Sequence, residues 1–198
     1  MSKGKPAPDP AEPLFEVDRR IRKALLPYRK SRSAEAAGWF SQAGDQTQMR
    51  LMAGGTIALG LVRRDARMVG AGARMLLAHE AATLMKDFVK RRVIRTRPRS
   101  ASGITTKPRP GRDTRKEESS FPSGHSAGAF AAAGAFCASY PEHAISAKGA
   151  AAAVSLARLP GCAHYPSDIA AGAAIGALAA GLVNRAWTIA ARAFARSP

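Results

Sequence analysis

The apolar residues of this chain are gathered into long stretches rich in alanine and glycine, separated by short, dense clusters of arginine and lysine. Five of these stretches read as apolar helices, at about residues 47–62, 68–92, 123–140, 145–159 and 166–190. A further candidate precedes them. Leu14, Val17, Ile21, Leu25 and Tyr28 share one face of an amphipathic helix whose other faces carry Arg19, Arg20, Arg22 and Lys23. Such a helix suits either an anionic membrane surface or a solvated face packed on the rest of the protein. Residues 1–13, with several prolines and few apolar anchors, read as a disordered leader. Strand signals are nearly absent, because β-branched and aromatic residues are sparse and no alternation is sustained. The expected fold is all-α: a bundle of five to six helices over residues 47–198, preceded by a basic N-terminal segment over residues 1–46.

Membrane embedding is the expected setting, although the pattern supports it unevenly. A span needs about 20 apolar residues. The stretch from Ser119 to Pro141 carries no Asp, Glu, Lys or Arg, and Ile169 to Val183 is equally free of charge. Leu51 to Val62 is short, and the helix after it contains Arg74, His79, Glu80, Lys86 and Asp87. Gly128, Gly134, Gly172 and Gly176 suit close helix packing in lipid. If the five helices alternate, Arg63, Arg64, Arg67, Lys148, Arg185, Arg192 and Arg196 fall on one side, which the positive-inside rule makes cytoplasmic. The 93–122 and 158–168 connections then share the other side. Their own positive charge, and that of the N-terminal segment, runs against the rule unless it serves an anionic ligand.

Charge sharpens this picture. The 198 residues include 31 Lys and Arg against 14 Asp and Glu, a formal net charge of +17, and the pI is about 11.2. An anionic partner follows: nucleic acid, acidic lipid or a phosphorylated substrate. Cys137 and Cys162 have neither CxxC nor Cys/His ligand spacing, so they read as free thiols. The N-terminus lacks the apolar core of a secretory signal.

Three clusters carry candidate chemistry. In the first, Lys90 and Arg97 are seven residues apart, followed by Pro98. If the helix continues they lie on one face, two turns apart, and both point at one anion. The bland reading is a solvated charge run. The second is Pro122-Ser123-Gly124-His125 at the start of an apolar helix, where backbone N–H groups and the positive end of the dipole favour phosphate. A serine cap beside an incidental histidine is its alternative. The third runs from Arg158 through Pro160-Gly161 to His164, Pro166 and Asp168. Here Asp168 can reach back to one ring nitrogen of His164 and leave the other free as a nucleophile, or simply complement the dipole of the next helix. A phosphate loop, an Asp-rich metal site and a HExxH pair are missing from the sequence, so the expected chemistry is metal-free with no cofactor.

In that order and at those separations, Lys90–x6–Arg97-Pro98, Pro122-Ser123-Gly124-His125 and Arg158–x5–His164–x3–Asp168 resemble the three-part signature of the type 2 phosphatidic acid phosphatase (PAP2) superfamily, over about residues 50–190. The resemblance implies a helical phosphatase in which His164 attacks phosphorus to give a phosphohistidine, oriented by Asp168. His125 would protonate the leaving oxygen and later activate water. Lys90, Arg97, Arg158, the Ser123 side chain and the Gly124 backbone would hold the phosphoryl oxygens. One position departs: the family's third motif usually begins Ser-Arg, and here it begins Ala157-Arg158, which removes an auxiliary hydroxyl.

The implied substrates are a lipid phosphate of the phosphatidate type or an isoprenyl diphosphate, handled at the cell (inner) membrane with the site on the non-cytoplasmic side. A soluble acid phosphatase of the same superfamily is the nearest alternative, and a vanadium haloperoxidase is disfavoured by the short chain. A nucleic-acid-binding protein is suggested by charge alone. Few aromatics interleave the basic residues for base stacking, so no nucleic-acid partner is expected. His79 and His143 read as structural, and Trp39 and Trp187 as interfacial anchors or ordinary packing.

Overall fold

A computed structural model describes residues 10–101 and 107–195. The leader expected at residues 1–13 falls mostly outside these, and helix already begins at Glu12. Among the described residues there are seven α-helices: α1 (Glu12–Leu25), α2 (Arg32–Ser41), α3 (Gln46–Arg63), α4 (Ala66–Lys90), α5 (Gly124–Ser139), α6 (Ala144–Leu156) and α7 (Pro166–Phe194). Two short strands, β1 (Val93–Ile94) and β2 (Arg109–Pro110), pair antiparallel between α4 and α5. The five apolar stretches become α3 to α7. The fold is all-α, as the pattern predicts, with α2 and the small ribbon as additions.

Local chemistry sets the helix ends. Arg64 adopts the left-handed conformation (φ 54°) that closes α3, and Asp65 caps α4 by accepting from the Met68 amide at 3.0 Å. Ser123 caps α5. Pro166 occupies the first turn of α7, where its missing N–H costs nothing. Helices α3 to α7 form an up-and-down bundle, joined by short turns except for the long connection between α4 and α5, with α5 packed against α4, α6 and α7, and α3 laid on α4.

The interior is built from small side chains. One core cluster contains Met49, Met75 and nine alanines, among them Ala78, Ala82, Ala127, Ala131 and Ala179. Helices approach closely as a result. A Cβ added to Gly172 would lie 2.4 Å from the Ser123 carbonyl oxygen, and one added to Gly176 would lie 2.4 Å from that of Ala127. These two glycines, one turn apart, let α7 sit directly on the α5 backbone. Many large apolar residues lie outside: Leu61, Val62, Leu84, Ile145, Leu178 and Leu182 are all exposed. Among the described residues, Pro166–Phe194 is the one helix both long and apolar enough to cross a membrane.

The alternation gathers the N-termini of α3, α5 and α7 and the C-termini of α4 and α6 at one end of the bundle. The basic turn at residues 63–67 lies at the other end, where Arg67 pairs with Glu142 at 2.7 Å. Helices α1 and α2 cover the first end. The amphipathic stripe expected of α1 is buried only in part: Ile21 and Leu25 are half-buried beside Tyr165 and Pro166. Leu14 and Val17 are exposed, whereas Asp18 is fully buried and Arg22 donates to the carbonyl oxygens of Pro98 and Ala101. Polar contacts with the segment after α4 outweigh the apolar stripe in orienting this helix.

Candidate active site

The covered end of the bundle contains a cleft of about 400 Å³, lined by Lys86, Lys90, Arg97, His125, Arg158 and His164, with Asp45 at its wall. All three clusters singled out in the sequence therefore meet. How the first reaches the cleft differs from expectation. The helix does not continue from Lys90 to Arg97: α4 stops at Lys90, Val93 and Ile94 enter the ribbon, and the chain reverses. Residues 95–97 then run beside 117–120, with the Arg95 and Arg97 amides donating to Glu118 and Glu117. This reversal brings Arg97 back to Lys90, and both cations donate to the Ser119 carbonyl oxygen, at 3.3 and 3.1 Å. β-branched Val93 and Ile94, followed by Pro98, favour extended backbone over another two turns of helix.

Ser123 is also placed otherwise than the resemblance implies. Its side chain is fully buried, and its hydroxyl accepts from the Ser126 amide and the Ser126 hydroxyl. It serves as the helix cap, and the cleft wall here is made by Gly124 and His125. The first turn of α5 opens beside them, where amides have no intrahelical acceptor. The ring of His125 holds Nε2 2.8 Å from Asp45 Oδ1.

His164 is 3% exposed, and its ring geometry fixes which nitrogen is available. Nδ1 lies 2.8 Å from the Ser120 carbonyl oxygen, which can only accept, so the neutral ring carries its proton there. Nε2 is left with its lone pair, 3.5 Å from Arg97 Nη1. Asp168 stands 3.7 Å from Nδ1. It also accepts from the Tyr165 amide at 2.8 Å, so this carboxylate both orients the histidine region and caps α7. Burial pushes His164 down to about 4, with Arg97 and Arg158 adding to the effect against the pull of Asp168. The ring is therefore neutral at physiological pH.

The cations are held under mutual repulsion. Burial, with Arg99 and Arg158 nearby, lowers Arg97 to about 10, and burial lowers Arg158 as well. Arg158 Nη1 donates to Ser41 Oγ at 3.0 Å. A hydroxyl from α2 thus stands beside an arginine whose motif lacks its usual preceding serine. Several groups at this end escaped the sequence reading: Asp18, Ser41, Asp45, Lys86, Arg95 and Ser120. Asp45 was the most readable of them, since an aspartate before an apolar run is a cap signal. Its side chain makes no cap hydrogen bond, however.

A neutral imidazole nitrogen beside converging cations at a helix N-terminus is a site for phosphoryl transfer, so the fold and the site together describe a helical phosphatase. The comparisons agree. The family model described as PAP2 superfamily matches residues 70–191. No curated protein matches the sequence. A solved structure described as the first transmembrane PAP2 type phosphatidylglycerolphosphate phosphatase from Bacillus subtilis superposes with a TM-score of 0.64 at 22% identity, over 86% of this chain and 84% of that one. This chain belongs to the PAP2 superfamily and is a phosphatase, a hydrolase of phosphoric esters.

Proposed function

We propose that this protein hydrolyses a lipid phosphate within a membrane, through a phosphohistidine on His164. The observation that carries the mechanism is the orientation of His164, with its proton held by Ser120 and Nε2 left free among cations. With a phosphomonoester bound, Arg97, Arg158 and Lys90 sit on its non-bridging oxygens. His164 Nε2 forms a bond to phosphorus as the bond to the leaving oxygen breaks, and His125 delivers a proton to that oxygen. Water, deprotonated by His125, then attacks the phosphohistidine, releasing phosphate and restoring both rings. Every step is served by side chains already in the cleft.

The lipid setting is supported by the small interior and large exterior. In an aqueous protein, burying a leucine away from water stabilises the fold by about 2 kcal/mol, yet Leu61, Leu84, Leu178 and Leu182 face outward around an alanine core. That distribution suits a bundle surrounded by hydrocarbon. The related structure is described as acting on phosphatidylglycerolphosphate, and a phosphatidate-type monoester or an isoprenyl diphosphate presents the same terminal phosphate. In our reading Arg63, Arg64 and Arg67 lie on the cytoplasmic side of the cell membrane and the cleft on the other.

The test is direct. Wild-type protein quenched during turnover of a lipid phosphate should carry acid-labile, alkali-stable phosphate, and His164→Ala should carry none and turn over no substrate. Full activity in His164→Ala removes the nucleophile. Recovery of all activity in a detergent-free soluble fraction removes the membrane.

A further inference from the structure

We propose that Asp18, in the N-terminal helix, is a positioning residue for the nucleophile and acts through Arg95 and Asp168. Both Asp18 and Arg95 are fully buried, and neither touches the cleft. Arg95 lies between two carboxylates: Nη2 donates to Asp18 Oδ2 at 2.6 Å, and Nη1 donates to Asp168 Oδ1. Ser167 closes the link. Its amide donates to Asp18 Oδ1 at 3.0 Å, its hydroxyl donates to Asp18 Oδ2, and it accepts from Arg95 Nη1 at 2.7 Å. On the far side the Ser120 hydroxyl donates to Asp168, and its carbonyl oxygen accepts from His164 Nδ1. An unbroken set of buried polar contacts therefore joins α1 to the histidine.

The charge arithmetic gives Asp18 its task. Attack by Nε2 leaves a positive charge on the His164 ring, which Asp168 is placed to stabilise. Arg95 opposes that stabilisation unless its own charge is balanced elsewhere, and Asp18 balances it. Without the Asp18 carboxylate, more of the Arg95 charge falls on Asp168, and the field of Asp168 at the ring is weakened. Substrate binding rests on Lys90, Arg97 and Arg158, which Asp18 does not contact. The defect thus falls on the chemical step.

This proposal rests on His164 as nucleophile, and its test reads the two separately. In rapid-quench experiments on the full-length protein in detergent, Asp18→Asn is expected to slow phosphoenzyme formation about tenfold. The phosphoenzyme amplitude per folded molecule and KM should stay within twofold of wild type. In an Asp168→Asn background the same change should add less than twofold, because the route to His164 is already cut. A normal rate with reduced amplitude would mean a structural role only and overturn the proposal, as would an undiminished tenfold loss in the Asp168→Asn background. Should Asp18→Asn fail to fold, Asp18→Ala combined with Arg95→Met removes both charges together. With no Arg95 charge left to balance, that pair is expected to match Arg95→Met alone within twofold, and a further tenfold loss on adding Asp18→Ala overturns the proposal. If wild-type protein forms no phosphoenzyme at all, it is the nucleophile assignment that fails.

Discussion

The contact between α5 and α7 ties bundle packing to catalysis, and Gly172→Ala tests that tie. The added methyl would lie 2.4 Å from the Ser123 carbonyl oxygen and 2.9 Å from the Ser126 Cβ. Carbon and oxygen settle at about 3.3 Å even in their closest favourable contacts, so the helices must separate by about 1 Å. Overpacking of this kind costs about 1–3 kcal/mol, offset by roughly 1 kcal/mol of helix propensity gained from alanine. Stability should therefore change little or fall by up to about 2 kcal/mol. The effect on rate should be larger. Ser123 immediately precedes Gly124 and His125, and its amide donates to the Asp168 carbonyl oxygen at 3.0 Å. A displacement of about 1 Å between the two histidine-bearing segments is expected to lower kcat by about 10²-fold. Gly181→Ala is the control, because nothing lies within 4 Å of its added methyl, and it should match wild type in rate. The measurements are kcat on a lipid phosphate and denaturant unfolding in detergent micelles. Wild-type kcat in Gly172→Ala would refute the reasoning, since it would mean that the helix contact does not set the geometry of the site.

The remaining predictions concern protons. His164 is held down to about 4 by burial and is nucleophilic only when neutral, so kcat/KM should fall as pH drops through about 4, with no inflection near the ordinary histidine value of about 6.5. The same depression makes the unfolded chain the better proton binder between those values, so stability present above pH 6.5 should be lost progressively toward pH 4. A pH titration of kcat/KM and of the unfolding midpoint checks both. Asp45→Asn removes the carboxylate 2.8 Å from His125 Nε2, which should disturb proton delivery to the leaving oxygen. Turnover of an alkyl phosphate should fall about tenfold, while a nitrophenyl phosphate, whose leaving group needs no proton, should change less than threefold. Equal losses on both substrates would assign Asp45 to binding instead.

The helices and the three motifs were legible because each rests on local pattern. Apolar runs bounded by caps, prolines and glycines give α3 to α7 to within about one turn at each end. Arg158, His164 and Asp168 lie within one turn region, so their spacing carries their geometry. The rest depends on contacts across long stretches of chain. Asp18 sits among Glu16, Val17, Arg19 and Arg20 and reads as one charge in a solvated run. Only the docking of α1 beside α7 reveals that it is buried. Arg95 and Arg97 look equivalent in the sequence Arg95-Thr96-Arg97, yet Arg95 ends among Asp18, Ser167 and Asp168 whereas Arg97 lines the cleft. Lys90 and Arg97 were paired by their helical spacing. They do meet, but through a chain reversal that β-branched residues and a proline make at the end of α4.

The alanine interior also separates two things that most proteins combine, cohesion between helices and affinity for the surroundings. Here the first is supplied by glycine and alanine contacts inside, and the second by leucines outside that take no part in them. Replacing Leu61, Val62, Leu84, Leu178 and Leu182 with lysine and glutamate would therefore leave the helix contacts and the cleft untouched. The bundle is a natural starting point for a water-soluble version of the same phosphatase.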